Sequence, residues 1–569
     1  MIRLRQVAGS DAFVRLLAAG SDRDSHRWRF TAPWQNSTAE GVPVIRNRTW
    51  LAAGGSALAL ILSACGSGNH QLSGPTFTYV TYAKVMDDGW DPATEYSDGI
   101  IAMSNAYETL TRYDPVTHRV DPLLATSWSH SPNGLTWTFQ LRHGVYFHTG
   151  RPMTAEAARA AILRTKTLGA GASYIWGAVQ SVSTHGLYTL VFHLSHASPL
   201  ALEASADYSA YIYDTQAAGP LGNLTKWLDA PHDAGTGPYE LQTWNNGGES
   251  EVILKAFPKY WGGWRGAHYQ RVVFRVDPRD ATAAGLLRSG AVDFVEQLSS
   301  PWWKSLAGVP GIRLVSAASW QNLLGQLNCQ ALSLPVRQAI AYGIDYFGII
   351  AALQGAAIPS SGIVPAGLFG HFTNLPNYTY DPAKAAQLLH SAGYGPGKKP
   401  LNLSLTYGQG NSNEQIVANL IKSSLAKLNI NLSVQPLAWP TQWAKAKSAP
   451  ASQRQDIFIE FWWPDYADPY SWFISLLHSQ KPPNYNVSYY SSPVLDHQIG
   501  QVESVVTTSP AAGARLYRTM QLQILHKAPI AVLFNTNYQY AMRDTFSGFH
   551  VNPAYPNVVF VYDLRPQSN

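Results

Sequence analysis

Residues 401–437 read LNLSLTYGQGNSNEQIVANLIKSSLAKLNINLSVQPL. Leu401 to Tyr407 alternates apolar and polar side chains, the period of a half-buried strand. Ile416, Leu420, Ile421, Leu425 and Leu428 then recur at helical spacing, and Ile430 to Leu437 alternates again. Strand, helix, strand predicts a βαβ unit. That implies an α/β fold with a mainly parallel sheet and ligand groups at strand ends. The punctuation around this run agrees. Asp381 caps a helix, Pro382 takes its first position and Gly393 closes it. A helix at 280–289 ends at Gly290 before a strand at 292–296, and Thr154 can cap a helix from Ala155 to Arg164.

Downstream, Asp456 to Phe461 predicts a further short strand, and it feeds FWWPDYADPYSWFISL, residues 461–476. Phe461, Trp462, Trp463, Tyr466 and Tyr470 crowd around Asp465 and Asp468. Pro464 and Pro469 discourage a continuous helix through the acidic segment. One reading is a strand that delivers a carboxylate into an aromatic-walled space suited to an amine with an apolar body. The other is an ordinary core strand followed by an Asp-Pro turn.

The chain has 569 residues, more than one domain requires. Hydrophobic residues make up 46%, enough for large cores, while charged residues are only 14%. So low a charge content fits an unusual external medium, such as an acidic one. The net charge is +5 with scattered basic residues, which gives no electrostatic footprint for nucleic acid. Cys65 and Cys329 cannot form a disulfide framework.

Residues 44–65, VIRNRTWLAAGGSALALILSAC, have the order of an export signal. Arg46 and Arg48 precede an apolar run from Leu51 to Leu62 that is too short to span a bilayer. Leu62-Ser63-Ala64-Cys65 resembles a bacterial lipobox, with Cys65 the lipidated residue. Residues 65–76 then read as a flexible tether. Residues 1–43 do not fit a signal peptide and suggest that translation starts nearer Val44.

A series of short motifs carries a family resemblance. They are YETLTRYDP (107–115), LATSW (124–128), NGLTWTFQLRHGVYFHTGRPMTAE (133–156), GTGPY (235–239), KYWGG (259–263), VVFRV (272–276) and AGLLRSGAVDF (284–294). Their collinear order resembles the extracellular solute-binding proteins of the oligopeptide/dipeptide family (family 5), the capture subunits of ABC importers. The resemblance implies a two-lobed α/β fold of the periplasmic-binding-protein kind (type II, large peptide-binding class). It implies a two-strand hinge and an extra subdomain in the first lobe. The expected first lobe is residues 77–316 with 531–569, its subdomain about 114–234, and the second lobe is 317–530.

The resemblance also implies capture of oligopeptides or dipeptides, handed to a permease with its ATPase subunits. It implies no cofactor, no metal, no catalysis, and a monomer held at the outer face of the cytoplasmic membrane by its lipid. Asp465 matches the family's carboxylate for a peptide ammonium. Phe461, Trp462 and Trp463 match its strand-adding edge, with Tyr466 beside them. Glu95, Tyr96 and Ser97 match the facing loop, and Trp320 and Asn322 complete the expected site. Two departures stand out: Pro464 removes a backbone donor, and Ile459 and Glu460 occupy the region where relatives place a basic residue for the peptide carboxylate. The same fold also suits a nickel chelate, oligosaccharide, opine or other amine. A secreted hydrolase is the rival class, but no nucleophile–base order or metal motif supports it.

Overall fold

The computed structural model describes residues 74–86, 89–220, 222–245, 251–448 and 450–567. The expectations for the upstream extension, the signal peptide, Cys65 and the tether as far as residue 73 lie outside the described residues.

One large sheet organises the described chain. Its strands are β1 (Thr76–Thr81), β2 (Tyr239–Asn245), β3 (Glu251–Ala256), β4 (Arg271–Val276), β5 (Phe294–Val295), β6 (Ile312–Leu327), β7 (Leu401–Gly408), β8 (Ile430–Leu437), β9 (Ile457–Trp462) and β10 (Ile530–Arg543). Their spatial order is β8-β7-β9-β6-β10-β5-β1-β4-β3-β2, and the two-residue strand Ala357–Ile358 also pairs with β10. The βαβ expectation holds locally, since β7 pairs in parallel with β8 and β9. The sheet as a whole is mixed rather than mainly parallel. Antiparallel β6 pairs with β9 on one side and β10 on the other, which joins the two parallel regions.

β6 and β10 are the long members. The sequence predicts two strands around Trp320–Asn322, but β6 is one strand of 16 residues, roughly 50 Å at strand rise. It absorbs the break as a register irregularity between Ala318–Asn537 and Asn322–Asn535. Positions 316 and 531, where the chain was expected to cross between halves, do not face one another. Ser316 pairs with Gln539, and Ala531 with Gly325.

The helices start where the sequence places their caps. The apolar spacing of Ile100 to Leu110 predicts a longer helix than α1 (Ile100–Ala106), which stops early because Tyr107 is already extended. The Thr154 side chain accepts from the Ala157 amide to open α2 (Ala155–Leu168). Helix α3 (Asp280–Ser289) ends at Gly290, whose φ of +73° only glycine adopts without strain. Asp381 accepts from the Lys384 amide at the start of α4 (Pro382–Ser391). Asn411 caps α5 (Ser412–Ala426), and α6 (Trp439–Ala446) and α7 (Tyr470–Leu476) follow β8 and β9.

A separate four-stranded antiparallel sheet (Ala125–His130, Thr136–Leu141, Thr189–Leu194, Val179–Thr184 in spatial order) packs Phe139, Trp176 and Phe192 with α2. It shares one core with Tyr466, Trp472 and Phe473 of the aromatic stretch. Two further cores flank the large sheet, one around Phe77, Tyr79 and Trp90, the other around Leu323, Leu405 and Ile421.

Ahead of β2 the sequence reads Gly235 and Gly237 as glycines of a tight turn. Neither has a positive φ; both are required by close approach. A Cβ on Gly235 would strike the Ala106 carbonyl, to which the Gly237 amide donates at 2.9 Å. Overpacking of this kind costs about 1–3 kcal/mol. Gly235→Ala is therefore expected to lower the urea midpoint by that amount of stability, and an unchanged midpoint would contradict the packing described.

Candidate ligand-binding site

A cavity of about 110 Å³ lies at the carboxyl ends of β1, β7 and β9. Tyr82 and Ala83 follow β1, Gly408 and Gln409 close β7, and Glu460 to Trp463 end β9. The loop Tyr96-Ser97-Asp98 lies on the wall with Tyr82 and Tyr208, and Asn411, Glu414, Trp439, Trp443, Asp465 and Tyr485 complete the lining. Carboxyl ends of strands are where open α/β sheets leave a crevice.

The wall is a chain of rings. Trp439 meets Trp443 at 5.4 Å, Trp443 meets Tyr485 at 5.7 Å, and Tyr485 meets both Trp462 and Tyr96 at 5.8 Å. On the cavity's other side the Trp463 indole donates to the Tyr208 hydroxyl at 3.0 Å.

Carboxylates interrupt the aromatic lining. Asp465 accepts from the Tyr174 hydroxyl at 2.5 Å, and burial pushes its carboxyl up to about 7 against the pull of that bond. Glu460 lies on β9 with no exposed surface, accepting from the Gln326 amide through one oxygen. Its other oxygen is buried with no hydrogen-bond partner. Burial pushes the Glu460 carboxyl up to about 8; the Gln326 bond opposes this and the charge of Glu414 adds to it. Glu414, in the first turn of α5, reaches back to the Gly408 amide at 2.7 Å. Burial pushes it too up to about 8, with Gly408 opposing and Asp98 adding. The Tyr82 hydroxyl is raised by burial and then by Asp98, Glu296 and Glu414. No Lys, Arg or His lines the cavity among the described residues. Lys447 sits over the Trp443 and Tyr485 rings but donates to Asn484 at 2.9 Å.

The structure brings together six of the residues singled out from sequence: Tyr96, Ser97, Phe461, Trp462, Trp463 and Asp465. Four lie elsewhere. Glu95 is buried and folds its own loop, accepting from the Ser97 and Gly99 amides at 2.5 and 3.2 Å. Tyr466 is buried, with its hydroxyl 3.3 Å from Glu503. Trp320 packs on Tyr113 at 5.9 Å, and Asn322 bridges the Ile363 carbonyl and the Trp472 indole.

The facing loop also differs from expectation. The Ser97 amide donates to Glu95 and its carbonyl accepts from Tyr208, so its main chain is already engaged. The edge of β9 is open by contrast. Toward β7 it pairs only at Ile457 and Phe458, and the Ile459 carbonyl is taken by Gln442. Asp468 stays off the cavity, held by the Tyr517 hydroxyl and the Tyr470 amide, both at 2.8 Å.

Glu414, Trp439 and Trp443 were not foreseen. The Asn411-to-Glu414 spacing is a helix-start signature, which marks a cap but not a cavity. Glu460 drew notice only for replacing a basic residue.

A carboxyl whose folded pKa exceeds its unfolded value binds more protons when folded. For Glu414 and Glu460 that contribution is largest below the ordinary value of 4.5 and is lost as the pH rises through about 8. The ligand-free protein is thus expected to melt higher at pH 5.5 than at pH 8.5, by at least about 2 °C. Glu414→Gln with Glu460→Gln should shrink that gap. A higher melting temperature at pH 8.5 would contradict the burial of these acids.

Comparison with known proteins agrees with this architecture. Residues 119–484 match the family model described as bacterial extracellular solute-binding proteins, family 5 Middle. The chain is 26% identical over 459 residues to the probable D,D-dipeptide-binding periplasmic protein DdpA of Escherichia coli K12, covering 79% of this chain and 86% of that protein. The ABC transporter-associated periplasmic binding protein DppA of Helicobacter pylori, solved with the peptide STSA, superposes with a TM-score of 0.77 at 24% identity, over 87% of this chain and 98% of that one. NikA of Brucella suis, solved with Fe(III)-EDTA, superposes at 0.74 and 21% identity over 87% of this chain and all (100%) of that one. The mixed sheet, the cavity at its strand ends and a match over most of the chain lead to one conclusion: this protein belongs to the family 5 bacterial extracellular solute-binding proteins, and has their two-lobed fold.

Proposed function

We propose that the protein captures a small peptide or related amine outside the cytoplasmic membrane and delivers it to an ABC permease. The observation that carries this reading is Asp465, a half-buried carboxylate on an aromatic wall beside an open strand edge. Relatives named for dipeptide binding and structures solved with peptides support the class of cargo. An ammonium set against Asp465 would restore the carboxylate's charge. Main-chain groups of Phe461 and Trp462 would grip any peptide backbone alike, whatever its side chains.

The lobes follow from the same reading, with the first built from 77–316 and 531–569, and the second from 317–530. The register irregularity near Ala318 and Asn322 would be the hinge, since a break in the ladder is where two long strands can bend. Cys65 would carry the lipid that keeps the protein near its permease. A non-peptide amine is the second reading, favoured by Glu460 standing where a partner for the peptide carboxylate was expected.

Truncating one member of a buried charge pair costs about 2–5 kcal/mol. Asp465→Ala is therefore expected to weaken free-amine dipeptides at least about tenfold by calorimetry. N-acetylated dipeptides should bind poorly to the parent. Equal affinity for free and acetylated forms would remove Asp465 from this role.

A further inference from the structure

The cavity's charge inventory goes further than its family. Acids face it from both sides. Asp98 lies on the α1 side, backed by buried Glu296, while Glu414 and Glu460 lie on the β7–β9 side. Their fields overlap across the gap, since Asp98 acts on Glu414 and Tyr82 feels Asp98, Glu296 and Glu414 together. No cationic side chain among the described lining residues offsets them. Glu460 lines this wall and keeps one buried oxygen without a hydrogen-bond partner.

A zwitterionic peptide would bring a carboxylate into this field with no cationic side chain of the lining to meet it, only the unpartnered N–H groups of Trp439, Trp443, Trp462 and Asn411. A cation would neutralise it, and the Trp439, Trp443, Trp462 and Tyr485 rings would add cation–π attraction. Size points the same way. A volume of about 110 Å³ is well under the roughly 300–1,000 Å³ of drug-sized pockets.

We infer that the ligand of this cleft is a compact organic cation without a free carboxylate, held at one end by Asp465 and at the other by Glu414, Glu460 and Asp98. This rests on the cavity being the capture site proposed above, and it narrows what is captured.

Calorimetric titration of the purified full-length chain with three probes tests the inference. These are L-alanyl-L-alanine, its C-terminal amide, and 1,4-diaminobutane. The amide is expected to bind at least tenfold tighter than the free acid. Glu460→Gln or, if that variant misfolds, Glu414→Gln should cut the difference to under threefold.

The diamine stays charged between pH 6.5 and 8.5, with amines like that of lysine. Tyr82, Tyr96, Asp98, Tyr208, Glu296, Glu414, Glu460, Asp465, Tyr485 and Lys447 are the ionisable groups around it. Of these, Asp465, Glu414 and Glu460 release protons on binding a cation, so affinity should rise at least about tenfold over that range. An affinity independent of pH would overturn their assignment. Free acid binding as tightly as the amide would overturn the inference and leave peptide capture standing. Diamine binding with neither dipeptide form would overturn peptide capture and leave the inference standing. Silence from all three counts against both.

Discussion

The antiparallel pairing of β6 with β10 is the constraint on which the rest depends. These two strands alone run through the middle of the large sheet. Everything on the β7–β8–β9 side is tied to them through β9, and everything on the β1–β4 side through β5. Both parallel regions turn their carboxyl ends to the same gap, so the loops after β1, β7 and β9 must meet there. The register irregularity between Ala318 and Asn322 sits in the middle of this pairing. It is a place where the ladder yields without breaking either flank, which is what a closing motion requires.

The sparse charge of the chain takes on meaning beside its buried acids. A buried carboxyl needs donors or it becomes neutral. Most here are provided for. Glu108 accepts from the Tyr260 hydroxyl and the Trp261 indole, and Asp468 from Tyr517 and the Tyr470 amide. Such groups fix loops in place. Glu460 differs because it lines the cavity while one of its oxygens has no partner. Glu203 and Asp207 also keep an unpartnered oxygen, but neither lines this cavity. The distinction between a structural and a receptive acid is thus one of position and residual valence rather than residue type. Asp465 stands between the two kinds, steadied by Tyr174 yet open to the cleft.

Local chemistry was legible in the sequence. The alternation of 430–437 gave its strand to the residue, and Thr154 and Asp381 cap the helices they were expected to cap. The strand before the aromatic stretch and its carboxylate at 465 were readable for the same reason. What failed was long-range. Trp320 and Asn322 sit near the expected hinge in sequence, but the side chains pack on Tyr113, Ile363 and Trp472, which no periodicity reveals. Glu414 sits in the first turn of the helix that Asn411 caps and bonds the Gly408 amide; that it also lines a cavity with Asp98, more than three hundred residues away, no local pattern shows. The parallel βαβ signal was real, yet it could not show that antiparallel β6 would join its neighbours into a mixed sheet.

Enclosure of one small amine in this cleft is the proposal on which the functional reading stands. Native mass spectrometry of the purified full-length chain, followed by denaturing extraction of what it carries, decides it. One low-mass species per chain that bears an amine and a net positive charge is the expected result. A stoichiometrically bound anion, or a sugar without an amine, would refute it.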